Sequence, residues 1–487
     1  MTTRTTLAAD PHQERGPKLG ARERLELLCD EATFRPLRSA ILPKQTSASS
    51  QLGDGLVCGF GTIEGRDVAC YAQDVTHLAG ALGQAHAESI HRIVDLASEA
   101  GAPIVSFIES GGARIHEGTA ALEGYAHIFR QNVNLRGKVP QIAVVAGLSA
   151  GGGCYSPALM DFVVMTEQAA MFLTGPSVVR EATGEVVSSA ALGGPSLHSR
   201  NGVCDFVSSD DRAAALLVRY LLSYLPQSGK APAPSTSAVA PELNDPGEVV
   251  PRLPRKVYDV RDVIAGVVDG GSFLECRSRW ARNIVTGFAR IEGRAVGVIA
   301  NQPRHIGGVL DVDASQKAAS FVEQCNTFGL PMVVLVDTPG FMPGIRQESA
   351  GVIRFGASLV RAFAGATVPK VTVVLRKAYG GAYIAMNSKG LGATLVLAWP
   401  SAEIGIMSGA SAVAIVNRRD LERADDPQRL REELADTYHG EHLSADMAAG
   451  GGFVDEVIEP AETRQRLVWG LGAMANGSRR TGNDRLG

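Results

Sequence analysis

Short β-branched runs alternate along this chain with longer stretches of helical period. That pattern belongs to strands interleaved with helices in a largely parallel sheet. Residues 57–74 predict a β-hairpin that turns at Glu64-Gly65-Arg66. Residues 83–100 carry apolar positions three and four apart and predict an amphipathic helix ended by Gly101. Residues 21–30 predict a helix with Leu25 and Leu28 on one face, and residues 104–108 and 371–374 predict buried strands. Near the C-terminus, residues 420–436 predict one charged amphipathic helix, residues 453–458 a short strand and residues 463–476 a last helix.

The pattern occurs twice. Gly59-Phe60-Gly61-Thr62-Ile63-Glu64-Gly65-Arg66 returns as Gly287-Phe288-Ala289-Arg290-Ile291-Glu292-Gly293-Arg294, 228 positions on. Pro103-Ile104-Val105 returns as Pro331-Met332-Val333 at the same offset, and Pro140-Gln141-Ile142 as Pro369-Lys370-Val371 at 229. Matches in one register mark a tandem duplication. Residues 231–254 are rich in Pro, Ala and Ser and lack periodicity, as a linker does. We therefore expect a flexible N-terminus over residues 1–17, a first domain over 18–240, a linker over 241–254 and a second domain over 255–475.

Each copy has a strand followed by a glycine cluster and a helix opening. In the first copy Gly151 and Gly152 follow the strand that starts at Pro140. In the second, Gly380, Gly381 and Ala382 follow residues 371–374, and Ile384-Ala385-Met386 opens the helix. Amides at the start of a helix have no intrahelical acceptor and face anything negative. Glycine lets a ligand approach the backbone. Together these are the parts of an oxyanion hole. A second loop in each copy, Ser110-Gly111-Gly112-Ala113-Arg114 and Asp337-Thr338-Pro339-Gly340-Phe341, leaves a neighbouring strand at its carboxyl end, where ligands sit in open α/β folds. Residues 172–176 and 406–409 form a third equivalent pair.

Composition narrows the chemistry. A net charge of −4 gives no sign of nucleic-acid or membrane binding, and no run of 18 apolar residues would span a bilayer. The 7 scattered cysteines form no CxxC and read as reduced buried thiols of a cytoplasmic protein, with no clustered metal-ligand set. His86 and His91 lie five apart, off a common helix face, and read as packing residues. No GxSxG, Walker A or HExxH is present. Glu109 and Glu117 flank a glycine loop, but Glu109 reads as a strand-end polar group and Glu117 as a solvated helix residue. Backbone amides remain, and the chemistry that needs only amide donors is enolate chemistry at a thioester.

The motifs together resemble the carboxyltransferase (β) subunits of biotin-dependent acyl-CoA carboxylases, the acetyl-/propionyl-CoA type. They are Lys18-Leu19-Gly20-Ala21-Arg22-Glu23-Arg24-Leu25, Ser110 to Arg114, Ser149-Ala150-Gly151-Gly152 with Tyr155-Ser156-Pro157-Ala158, Asn283-Ile284-Val285-Thr286-Gly287-Phe288, Asp337 to Phe341, and Arg376-Lys377-Ala378-Tyr379-Gly380-Gly381-Ala382-Tyr383. The resemblance implies two tandem crotonase-like (spiral β/α) subdomains and a hexamer built as a trimer of dimers. It implies that the first copy binds acyl-CoA and the second binds biotin, with the active site shared across a dimer. The reaction it implies moves a carboxyl group from carboxybiotin to the α-carbon of a short or medium acyl-CoA, such as acetyl- or propionyl-CoA. The alternative is a transcarboxylase or decarboxylase subunit acting on a malonyl-type thioester.

By this resemblance Gly151 and Gly152 serve the thioester oxygen, and Gly381 and Ala382 the ureido oxygen of biotin. By register Gly112, Ala113, Gly340 and Phe341 are second donors. Gly380 shares the second turn, and Ile384 occupies a position that lines the acyl pocket in relatives. The chain departs from the family pattern at Asn387-Ser388-Lys389-Gly390 and at Met407-Ser408-Gly409-Ala410. It carries neither a Met-Lys-Met biotinylation signature nor an ATP-grasp motif, so a separate biotin carboxylase and biotin-carrier (α) subunit is the expected partner.

Overall fold

The computed structural model describes residues 18–43, 50–229, 231–253 and 256–481. The expected flexible N-terminus, residues 1–17, lies outside them. The chain divides into two compact units, Met1–Pro234 and Ser235–Gly487. The stretch after residue 234 packs on the second unit. Thr236 N–H donates to the Gly293 carbonyl (3.0 Å), Glu242 N–H donates to Ala265 (3.0 Å), and Pro246 is buried.

The first unit is built on an eight-stranded sheet: β1 (Arg35–Leu37), β2 (Leu56–Ile63), β3 (Arg66–Gln73), β4 (Ile104–Ser110), β5 (Gln141–Ala150), β6 (Phe162–Thr166), β7 (Ala170–Phe172) and β8 (Phe206–Ser208). Their order is β1-β2-β3-β4-β5-β6-β8, with β7 branching from β5. The β1–β2 and β2–β3 pairs are antiparallel and all later pairs are parallel.

The second unit repeats this arrangement strand for strand. Its strands are β9 (Leu274–Cys276), β10 (Ile284–Ile291), β11 (Arg294–Asn301), β12 (Met332–Thr338), β13 (Lys370–Tyr379), β14 (Leu395–Ala398), β15 (Glu403–Gly405) and β16 (Glu456–Val457). They run β16-β14-β13-β12-β11-β10-β9, with β15 branching from β13. Even the irregularities match: the β4–β5 register shifts between Ile108 and Ser110, and the β12–β13 register between Val336 and Thr338. The duplication in the sequence is thus a duplication of topology.

Strands buried on both faces explain the unbroken apolar runs; every residue of β4 and of β12 is buried. The helix Gln84–Ala100 lays Ile90, Ile93, Val94 and Ala97 on the first sheet and stops where Gly101 turns left-handed (φ 62°). In the second unit the core gathers around Trp399, whose Nε1 donates to Thr463 Oγ1 (2.9 Å) at the start of the last helix, Thr463–Thr481.

Local chemistry changed three expectations. The charged stretch 420–436 is two helices, Arg418–Arg423 and Pro427–His442. Asp426 caps the second by accepting from Arg429 N–H (3.1 Å), and Pro427, with no N–H to satisfy, fits its first turn. The strand in 453–458 shrinks to Glu456–Val457, the residues that reach Leu397 and Ala398. The helix after β13 begins at Gly380 and ends by Ala385.

Candidate active site: two amide-lined turns

In the first unit β5 ends at Ala150 and the chain enters a tight turn, Gly151–Cys154. In the second, β13 ends at Tyr379 and the short helix Gly380–Ala385 begins. Both turns start on a glycine with φ 59°, a left-handed conformation that an L side chain resists. That kink swings the next amides out of the sheet direction. Gly151 and Gly152 occupy the first two positions of one turn, and Gly380, Gly381 and Ala382 the first three of the other. Their N–H groups therefore have no acceptor within the turn.

The second loop of each unit is held by one parallel bridge. Leu82 bridges Ala113 in parallel: Leu82 N–H donates to the Gly112 carbonyl (2.8 Å) and Arg114 N–H donates to the Leu82 carbonyl (2.9 Å). Leu310 bridges Phe341 identically, through the Gly340 carbonyl (3.0 Å) and Met342 N–H (2.7 Å). The residue at the centre of a parallel bridge turns its own N–H to the opposite side, so Ala113 and Phe341 face away from these bonds. The Gly112 amide is engaged by Ser110 Oγ (3.2 Å) and the Gly340 amide by Thr338 Oγ1 (3.4 Å). Of the paired candidates in each loop, Ala113 and Phe341 thus carry the N–H that points away from the bridge. Pairing of Ser110 with Ser149, and of Thr338 with Ala378, sets the loop beside its turn.

An aromatic ring braces each turn, but from different elements. In the first unit Tyr125, on the helix Thr119–Leu135, lies against Gly152 and reaches Ser110 Oγ with its hydroxyl (3.4 Å). Burial pushes this phenol up to about 12, so it stays protonated. In the second unit Phe341 itself packs between Gly356 and Gly381. Gly381 is exposed, Ala382 is fully buried beneath it, and Ile384 is 49% exposed beside it.

Three carboxylates near the turns, Glu109, Asp337 and Glu117, are held by ion pairs and hydrogen bonds. Glu109 is 3% exposed and paired with Arg24 (3.1 Å) and with Lys18, and Arg24 also binds Asp211 (2.9 Å). The Lys18–Leu25 motif thereby pins its helix, Ala21–Leu28, to the end of β4. Asp337, the counterpart of Glu109, takes different partners: Arg376 (3.1 Å) and the Tyr258 hydroxyl (2.9 Å). Burial raises the Asp337 carboxyl, with Arg376 and Tyr258 opposing it. Glu117 is not a solvated helix residue. It sits in the turn before the helix Thr119–Leu135, accepting from Gln84 N–H (2.6 Å) and from Arg114 (3.0 Å). Arg114 in turn clamps Asp54 with two bonds (2.8 and 2.9 Å).

Other sequence expectations resolve simply. His86 is fully buried against Asp54, and burial lowers its imidazole to about 3. All 7 cysteines are buried free thiols. The third equivalent pair leaves β7 and β15 for the helices Pro176–Thr183 and Gly409–Val416. Among the described residues no helix is long and apolar enough to cross a membrane. Sequence reading passed over the roles of Ser110, Thr338 and Tyr125. The signal for the first two was a hydroxyl residue two positions before a loop glycine, in both copies.

Known proteins share the fold of this chain. The carboxyl transferase domain model matches residues 11–485. A putative propionyl-CoA carboxylase beta chain of Bacillus subtilis is 46% identical, over 94% of this chain and 90% of its own. The alpha subunit of methylmalonyl-CoA decarboxylase from Propionigenium modestum is 44% identical, over 94% of this chain and 90% of its own. The crystal structure of a transcarboxylase 12S subunit, described as a hexamer assembly with methylmalonyl-coenzyme A bound, superposes with a TM-score of 0.91. It is 44% identical and covers 94% of this chain and 90% of that one. Its fold is the tandem crotonase-like one described above. This chain belongs to the carboxyl transferase domain family, and it is an enzyme of carboxyl transfer.

Proposed function

We propose that this chain is the carboxyltransferase subunit of a biotin-dependent acyl-CoA carboxylase, acting on short or medium acyl-CoA thioesters of the acetyl-/propionyl-CoA type. The observation that carries this reading is the repeat of one amide geometry in both units: a glycine-opened turn at the end of the central strand, and a bridged neighbouring loop with one outward N–H. Two like charge-accepting sites suit a reaction with two oxygen-centred anions.

In the first unit the N–H groups of Ala113, Gly151 and Gly152 receive the thioester oxygen. They would hold the charge that develops there as the α-proton passes to the basic ureido nitrogen that biotin would supply once its carboxyl group is released. Such donors act before the charge forms and need no reorganisation. The second turn would suit the urea of biotin: the amides of Gly381 and Ala382 lie in the first turn of its short helix, the exposed Gly381 carries no Cβ, and the Phe341 N–H points away from its bridge. Biotin, when bound in carboxylated form, supplies the labile carboxyl group. Gly381, Ala382 and Phe341 would hold its ureido oxygen and orient the ring, and Ile384 would offer an apolar wall suited to a short or medium alkyl chain.

The three carboxylates described beside these loops, Glu109, Glu117 and Asp337, are all held by cations or hydroxyls, so none of the three is free for proton transfer. By analogy with the hexameric relative, the chain works as a homo-oligomer, and a separate biotin-bearing subunit completes the enzyme. Relatives named as carboxylase, decarboxylase and carboxyltransferase match at 46, 44 and 46% identity, so both directions of transfer are kept as readings for the test. The test is co-purification with biotinylated subunits, followed by ATP-dependent fixation of labelled bicarbonate over a panel of acyl-CoAs. Label in malonyl- or methylmalonyl-CoA is expected. Decarboxylation without ATP-dependent fixation would move the chain to the alternative reading.

A further inference from the structure

We propose that Ser110 and Thr338 are positioning residues, each of which aims one oxyanion-hole donor. The inference rests on the functional reading above and adds the side chains that make the amide geometry possible.

A bridged loop has two amides that could turn toward a ligand, Gly112 and Ala113 in the first unit, Gly340 and Phe341 in the second. Which one does so depends on where the first finds its acceptor. In both units the hydroxyl two residues back supplies it: Ser110 Oγ accepts from Gly112 N–H (3.2 Å), and Thr338 Oγ1 accepts from Gly340 N–H (3.4 Å). With that amide satisfied, the loop peptide is fixed, and the bridge to Leu82 or Leu310 holds the next residue. Ser110 is 1% exposed and Thr338 is fully buried, so water does not compete for these hydroxyls. Both sit on the last residue of a buried strand, the most rigid place from which a loop can be aimed.

Two details separate this role from simple packing. The Ser110 hydroxyl also meets Tyr125 OH (3.4 Å), whose ring backs Gly152, so one chain of contacts links the loop donor to the turn donor. The Thr338 hydroxyl instead donates to the Gly340 carbonyl (3.3 Å), the same carbonyl that accepts from Leu310 N–H. The device recurs with different neighbours, which points to the aimed amide as the shared purpose.

The experiment uses the assembled enzyme with its biotin-bearing partner and the variants Ser110→Ala, Ser110→Thr, Thr338→Val and Thr338→Ser. A misaimed donor lowers kcat by about tenfold to a hundredfold and leaves KM for acyl-CoA nearly unchanged. The hydroxyl-retaining Ser110→Thr and Thr338→Ser restore most of that loss. The decisive readout is the infrared stretch of a ¹³C-labelled thioester carbonyl on bound propionyl-CoA. It is expected to shift to lower frequency in the parent, to relax toward its solution value in Ser110→Ala, and to stay shifted in Thr338→Val. A shift present in the parent and unchanged in Ser110→Ala overturns the positioning role. Absence of a shift in the parent overturns the reading of the first turn as the thioester site. A fall in thermal midpoint with kcat per folded enzyme unchanged assigns both hydroxyls to packing and also overturns the proposal.

Discussion

The ring of Tyr125 stands where a side chain on Gly152 would begin, with a ring carbon 2.7 Å from the position of an added Cβ. The corresponding position in the second unit is roomier: a Cβ on Gly381 would meet the Phe341 ring at 3.7 Å, an ordinary contact. The two copies therefore present the same amides over different packing.

This difference predicts an asymmetry. Gly152→Ala forces the buried Tyr125 ring to move and is expected to lower both the thermal midpoint and turnover. Gly381→Ala is expected to leave the midpoint within experimental error. Scanning calorimetry of the two variants checks this; equal midpoints would mean that the ring yields freely.

Ala382 is fully buried under the exposed Gly381. Ala382→Val adds two methyl groups to a filled space, which typically costs about 1–3 kcal/mol. It also displaces the amide that the second turn offers, and loss of one such donor typically costs about 10²–10³ in rate. Carboxyl transfer should fall by at least about a hundredfold, while acyl-CoA binding, measured by calorimetry, is retained. Loss of acyl-CoA affinity would place the thioester at the second turn instead.

Glu109→Gln leaves Arg24 and Lys18 facing a neutral amide. Removing one member of a buried ion pair typically costs about 3–5 kcal/mol. The expected result is a large drop in unfolding free energy with turnover per folded enzyme little changed. Glu117→Gln should show the same pattern to a smaller degree. If Glu109→Gln abolishes turnover at full stability, a carboxylate takes part in proton transfer and the amide-only mechanism fails.

Asp161, which accepts from Gln141 N–H (2.9 Å), has its carboxyl raised by burial from 3.8 to about 7. A raised acid favours folding while protonated. Its contribution is full below about pH 4 and lost as pH rises through about 7, a difference of at most roughly 4 kcal/mol. Asp161→Asn keeps an acceptor for Gln141 and removes this penalty. Its midpoint should exceed the parent's at pH 8, and the gap should close toward pH 4. A gap that does not vary with pH would show that Asp161 is ionised in the fold throughout this range.

Much of this protein was legible in its residues. The 228–229 offset announced two copies of one topology, because homologous core positions must recur wherever the same strands pair. The glycine turns were legible because few residues adopt φ near 59° on the way from strand to helix. Helix ends that depend on a single capping side chain were harder, as the break at Asp426-Pro427 shows, since periodicity runs straight through it.

What the sequence alone determined, then, was the repeat, its alternation of strands and helices and the two glycine turns, each a consequence of local pattern or of register between copies. Only the tertiary structure decided which amide of each loop faces outward, that Glu109 and Asp337 hold the fold together, and that Tyr125 and Phe341 brace equivalent turns from different elements. The physical reason is that these depend on partners far along the chain: Arg24 lies 85 residues from Glu109, and Tyr258 lies 79 from Asp337. No local window brings such groups together; the parallel sheet does, by gathering the carboxyl ends of its strands at one edge.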